Sequence, residues 1–243
     1  MIDPTARRTD GESVRIARDV LCAGATDATV CLLDRPQALA QALRRRVGRG
    51  RRVVIVGDDR ALLRAVRVLH LHGRLAASPL AVVPVGPGPS VAVASALGVP
   101  TDAVAASRAV LTGTDQRLDL LTDDTGGVVL GALGIPAPPA RMWWPTVHRP
   151  RRRLRVEADG RVLADVDRPV SGVSVRAAGG LAEVVVRPCP DDADVTARAT
   201  SVTVSGPAFN YRANAVTQGP TRTRTWTVSP DALWLTVPFA PPR

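Results

Sequence analysis

An α/β domain followed by an antiparallel β-sandwich is the fold class this sequence predicts. Three observations carry it. Short Val/Leu runs alternate with helix-length Ala/Leu/Arg segments through the first half, while the second half has brief β-branched runs punctuated by Gly and Pro. A Pro-rich stretch from Ile135 to Arg149 separates the two rhythms. The expected domains are therefore 1–135, of nucleotide-binding α/β type, and 136–243, the sandwich.

The elements follow in order. Thr29 to Leu33 reads as a strand. Pro36 to Val47 reads as a helix, with Pro36 suited to the first turn and Leu39, Leu43 and Val47 on one face. Arg52 to Val56 is a buried strand, and Ala61 to Leu71 a helix that Gly73 terminates. Leu80 to Pro84 is the next strand, and Asp102 to Leu111 a helix with Thr101 as its expected cap. In the second half, Leu154 to Glu157 and Arg161 to Leu163 form a hairpin through the Asp159-Gly160 turn. Val170 to Val175, Ala182 to Arg187, Ser201 to Val204, Thr223 to Val228 and Leu233 to Val237 complete the strands.

With 243 residues the chain can bury a full core, and a 45% hydrophobic content with mean hydropathy +0.06 excludes a disordered protein. The net charge of +10 ordinarily points to nucleic acid or an anionic membrane. All 32 basic residues are Arg, however, amid abundant Ala, Val, Gly and Pro. That is the signature of GC-rich coding, so only local Arg clusters are informative. Cys22, Cys31 and Cys189 have neither disulfide nor metal-ligand spacing. No apolar run approaches the ~18–20 residues of a membrane span, and Met1 to Asp10 is too polar for a signal peptide. A soluble, cytoplasmic protein is expected.

Gly57-Asp58-Asp59-Arg60-Ala61-Leu62, at a strand-to-helix junction, resembles the G-G-D-G-T-L of the diacylglycerol-kinase-like lipid kinases, which share a fold with the NAD kinases. Pro84-Val85-Gly86-Pro87-Gly88-Pro89-Ser90 stands where that family carries P-x-G-T-G-N-D, and Asp3-Pro4-Thr5-Ala6 resembles its opening N-P-x-[AS]. Tyr211 to Val216 resembles the stretch with D-G-E, and Pro230-Asp231-Ala232-Leu233 ahead of Pro238 resembles its closing P-x-A-L-x-x-x-x-P. The fragments keep the family's order across nearly the whole chain. The resemblance also implies a first strand before Asp3, of which only Met1 and Ile2 remain. Either that strand is truncated or translation starts upstream of Met1.

The resemblance implies a site for ATP and Mg²⁺, with Asp3, Thr5, Gly57, Asp59, Arg60, Gly86 and Gly88 as candidate cofactor-binding residues. Glycines serve such loops because backbone N–H groups can then point at phosphate oxygens. The departures bear on chemistry. Asp58, Arg60 and Ala61 replace two glycines and a threonine, and Asp58 brings negative charge to where a triphosphate would lie. Pro87 and Pro89 remove two backbone donors, and Ser90 replaces a carboxylate. Asn214 occupies the D-G-E Asp position, where an amide cannot act as base and is a poorer Mg²⁺ ligand. Phosphoryl transfer depends on metal and positioned charge, so the expectation is a pseudokinase that binds a nucleotide, a lipid or a partner protein. An active ATP-dependent lipid kinase of phospholipid metabolism, with Asp59 and Arg60 taking over phosphate and metal duties, is the alternative.

Trp143 and Trp144, followed by His148, Arg149, Arg151, Arg152, Arg153 and Arg155, suit a peripheral contact with an anionic membrane. The favoured reading is that the Trp pair caps an interdomain core, with alternate arginines on the outer face of a strand; stacking on nucleic acid is the least favoured. Arg44, Arg45, Arg46, Arg49, Arg51 and Arg52 suit a solvated helix end. His70 and His72 do not share a helix face, so no metal site is expected there.

Overall fold

The computed structural model describes residues 1–46, 52–135, 151–189 and 193–239. It opens with helices that the sequence reading did not assign. In α1 (Pro4–Thr9), the Asp3 side chain accepts the Thr5 N–H, and Pro4 sits in the first turn, where no N–H is needed. In α2 (Gly11–Gly24), Asp10 caps in the same way by accepting from Ser13, and Val14 and Ala17 face inward. α3 (Ala38–Arg46) occupies the expected helix and buries Leu39 and Leu43. Val47 lies outside the described residues.

β1 (Val53–Gly57), α4 (Asp59–Leu71) and β2 (Leu80–Pro84) form a right-sized β-α-β unit, with β1 and β2 parallel from Val53 opposite Leu80 to Gly57 opposite Pro84. Both strands are mostly buried, which is why each reads as an unbroken apolar run. Gly73, at φ +62°, follows α4 as its sequence position suggested. After α5 (Ala92–Ala96) comes α6 (Ala103–Thr112), whose cap is Asp102 and not Thr101. The Asp102 carboxylate accepts the Ala105 N–H, and its charge favours it at a helix N-terminus.

Thr29 to Leu33 is not a full strand. Leu32 makes a single parallel bridge to Ile2, which bridges Val56 on its other side. Ile2 belongs to a core with Val14, Ala17, Val56, Ala81, Val83 and Val110.

The remaining strands are β3 (Thr114–Asp123), β4 (Val128–Leu130), β5 (Ala132–Ile135), β6 (Arg155–Ala158), β7 (Arg161–Ala164), β8 (Val170–Ala178), β9 (Leu181–Pro188), β10 (Val195–Ala199), β11 (Ser201–Ala213) and β12 (Val216–Val237). Antiparallel pairing joins β5 to β8, β8 to β9 and β9 to β10, and β11 pairs with β5, β6 and β12. The β6–β7 hairpin turns at Asp159 (φ +47°) and Gly160 (φ +82°), as expected. Leu133, Val175, Val184, Val204, Phe209 and Trp226 lie in the core of this β region. The two expected final strands are one, β12, although Asp231 between them has φ +49°.

The sequence reading cut the chain once, at 135/136. The compact units are Met1–Leu118 with Ala232–Arg243, and Asp119–Asp231. The chain end rejoins the first unit because Leu235 pairs in parallel with Leu80 and Thr236 donates to Asp115.

Candidate functional site

Parallel strands that end side by side leave their following loops at one sheet edge, where α/β folds present backbone donors and helix N-termini to ligands. β1 ends at Gly57 opposite the Pro84 end of β2, and the Val85 N–H donates to the Gly57 C=O at 3.0 Å. The two Gly-rich loops singled out in the sequence therefore lie next to each other.

Packing imposes Gly57. A Cβ there would stand 2.8 Å from the Ala61 Cβ and 3.1 Å from the Asp3 Cβ. Asp58 caps α4, its Oδ1 accepting the Ala61 N–H at 3.0 Å. Its charge thus serves the helix that it precedes. Asp59 is only 6% exposed. Its Oδ2 accepts the Val93 N–H at 2.7 Å and its Oδ1 the Ala94 N–H at 3.0 Å. One carboxylate on α4 thereby holds the first turn of α5. Arg60, next to it, is exposed.

In the second loop Gly86 has φ +144°, and a Cβ would lie 2.5 Å from the Ser90 Oγ. Pro87, Gly88 and Pro89 are exposed, and a Cβ on Gly88 would meet nothing within 4 Å. Ser90 donates its hydroxyl to the Pro87 C=O at 2.8 Å, closing the short turn Gly88–Ser90.

Asp3 is buried beside Gly57. Its Oδ1 accepts the Thr5 N–H at 2.8 Å, and its Oδ2 faces the Arg64 Nη1 at 3.3 Å. Thr5 is exposed. Sequence reading missed Arg64; its signal was the i, i+4 spacing from Arg60 on α4. The fold thus gathers Asp3, Gly57, Asp58, Gly86 and Ser90. Of the carboxylates Asp3, Asp58 and Asp59, only Asp58 keeps an oxygen, Oδ2, without a protein partner among the described residues. The loops can offer an anion the exposed Arg60 and the open turn at Gly88. Among the described residues no group of three or more His, Cys, Asp or Glu side chains could hold a metal ion.

Asn214 belongs to the second unit. With Ala215 it forms the two-residue turn between β11 and β12, at φ +50° and +61°, as a type I′ turn requires. Its Oδ1 accepts the Leu130 N–H at 2.8 Å, and its Nδ2 donates to the Val128 C=O at 2.6 Å. A carboxylate could make the first bond but not the second. Elsewhere in this unit, Asp123 is held below the usual carboxylate range. Burial opposes that shift, but bonds from the Thr125 hydroxyl and the Gly127 and Thr125 N–H groups outweigh it.

Trp143, Trp144, His148 and Arg149 lie outside the described residues, as do Arg49 and Arg51. Arg151, Arg152 and Arg153 are exposed, while Arg155 pairs with Glu157 and Asp165. Among the described residues no helix is long and apolar enough to cross a membrane.

Solved structures of proteins named as diacylglycerol kinases, from Bacillus anthracis str. Sterne, superpose on this chain with TM-scores of 0.76, 0.77 and 0.75. Each covers 97% of this chain, and the chain covers 95%, 95% and 94% of theirs, at 13% identity. The fold is that of a diacylglycerol kinase. No protein-family model matches the sequence, and no curated protein matches it. The diacylglycerol-kinase-like fold is therefore shared at low sequence identity.

Proposed function

We propose that this chain is a binding protein on a lipid-kinase fold and that it does not transfer phosphate. The observation that carries the reading is Asn214. At the position where the resembled family has its D-G-E carboxylate, this chain has an amide with both ends committed to the backbone of β4. An amide accepts no proton from a lipid hydroxyl, and this one is engaged in fastening backbone. Asp59 supports the same reading, because its buried carboxylate is used to hold the first turn of α5 with both oxygens. The ligand is a nucleotide or a lipid held by the loops at Gly57 and Gly86, or a partner protein.

A second reading has one observation in its favour: the proteins that share the fold across nearly the whole chain are named as diacylglycerol kinases. It makes the protein an ATP-dependent lipid kinase. Mixed micelles of diacylglycerol and anionic phospholipid with labelled ATP and Mg²⁺ separate the two. Binding without catalysis gives a thermal shift with Mg-ATP or lipid and no labelled lipid. Labelled lipid formed by the wild-type protein, and lost in Asn214→Ala at unchanged stability, overturns the proposal.

A further inference from the structure

Two packed helices of the first unit present arginine to solvent and no exposed acid. α3 carries Arg44 and Arg45 near its C-terminus, and α4 carries Arg60, Arg64 and Arg67. The Arg74 Nη1 donates to the Arg44 C=O at 3.3 Å and joins the ends of the two helices. Arg44, Arg45, Arg60 and Arg67 are exposed and have no carboxylate partner among the described residues. Arg64 is shared with Asp3. The one acid on either helix is Asp59, buried and bound to α5.

On α4 the arginines form a line. Steps of four, three and four residues place Arg60, Arg64, Arg67 and Leu71 on one side of the helix, opposite the buried Leu62, Ala65, Val66 and Leu69. At 1.5 Å per residue the line runs about 16 Å. Leu71 ends it at 59% exposure, and among the described residues it is the one large apolar side chain exposed on a helix. The helix macrodipole accounts for Arg44 and Arg45 at a C-terminal end, but Arg60 stands in the first turn of α4, where a cation is disfavoured. Like charges three and four residues apart also weaken a helix. An anionic surface laid along the line turns both repulsions into attraction.

We propose that the α3–α4 face docks on an anionic lipid bilayer, with the arginines on the headgroup phosphates and Leu71 inserted beneath them. A straight file of guanidinium groups meets a plane along its whole length, and each group can take a phosphate through two N–H donors. The phosphate track of a nucleic-acid duplex curves away from such a file. Single strands are held by stacking, and neither helix carries an aromatic side chain for a base to stack on. Leu71 gains nothing against a polyanion, whereas in a bilayer its burial adds apolar contact. Because α4 begins just after Gly57, docking also brings Arg60 to the membrane surface beside the first glycine loop. The proposal stands whether or not the loops hold a nucleotide.

The test is sedimentation of the full chain with phosphatidylcholine vesicles, with and without phosphatidylglycerol. Binding is expected only to the anionic vesicles, and added salt weakens it. Arg44→Gln, Arg60→Gln and Arg67→Gln should each lower the partition coefficient about fivefold. Leu71→Ser should lower it further, with Tm unchanged in all four variants. Arg161→Gln and Arg222→Gln remove exposed charge from the second unit and should leave binding as it was. Equal losses from these two controls overturn the proposal, since net charge alone then suffices. So does absence of binding to anionic vesicles, or binding that survives loss of the three α3–α4 arginines. Tighter binding to duplex DNA, lost with the same arginines but kept in Leu71→Ser, assigns the face to nucleic acid instead.

Discussion

Two turns carry polar side chains that the sequence resemblance singles out, an acid in one and an amide in the other. At the β1–α4 junction the side chain is the carboxylate of Asp59, and both of its oxygens hold backbone N–H groups of α5. At the β11–β12 turn the side chain is the amide of Asn214, and both of its ends hold the backbone of β4. An acid at one turn and an amide at the other are put to the same use, fastening neighbouring backbone. The identity of a motif residue is therefore weak evidence for chemistry until its hydrogen-bond capacity has been accounted for.

The comparison is broken most forcefully at Asp59. Asp59→Ala leaves two N–H groups of a buried helix start without their charged acceptor, for a loss of about 3 kcal/mol. Thermal unfolding should show Tm falling by roughly 10 °C; a fall of a degree or two means that α5 is held by something else. Asn214→Asp comes next. Asp tolerates the left-handed turn nearly as well as Asn, so the substitution isolates the loss of the donor facing the Val128 C=O. A cost of about 2 kcal/mol is expected in urea unfolding, shrinking as acid protonates the new carboxyl.

The glycines give a smaller and sharper contrast. Gly57→Ala forces a methyl against the Ala61 and Asp3 Cβ atoms and should cost about 1–2 kcal/mol. Gly88→Ala meets open space and should stay within about 0.5 kcal/mol of wild type. If the open turn at Gly88 touches an anionic ligand, this substitution weakens binding without altering stability, a split that calorimetry can read.

The gentlest probe is pH. Asp10, Asp123 and Asp159 are all held below the ordinary carboxylate range. For Asp10 the cause is the Ser13 hydroxyl and N–H, and for Asp159 the Thr200 N–H and hydroxyl; at Asp123 the local bonds outweigh burial. A depressed folded-state value stabilises the fold above the unfolded value near 3.9. That contribution is lost as pH falls through the folded value. Tm should be level from neutrality to about pH 5 and decline below about pH 4, and Asp123→Asn should flatten part of that decline.

Much of the fold could be read directly. The strands at Val53–Gly57 and Leu80–Pro84 were plain because strands buried on both faces are continuous apolar runs. The Asp159-Gly160 hairpin was plain because the turn needs positive φ at both residues. α1 and α2 were missed although Asp3 and Asp10 are ordinary caps, since α1 is too short to show a helical period and α2 buries only Val14 and Ala17. β3 was missed because its first residues are polar and exposed, leaving no alternation to detect. Motif order singled out Gly57, Asp59, Gly86 and Asn214 as candidates but gave no account of their partners.

The sequence by itself determined the order of α/β and β regions, the two glycine loops and which side chains those loops carry, because periodicity, turn chemistry and residue identity are local properties. Only the tertiary structure decided what the remaining polar groups do. Asp59 meets Val93 and Ala94 more than thirty residues away, and Asn214 meets Val128 and Leu130 more than eighty residues away. Such pairings follow from how distant segments pack, and nothing in the local chain encodes them.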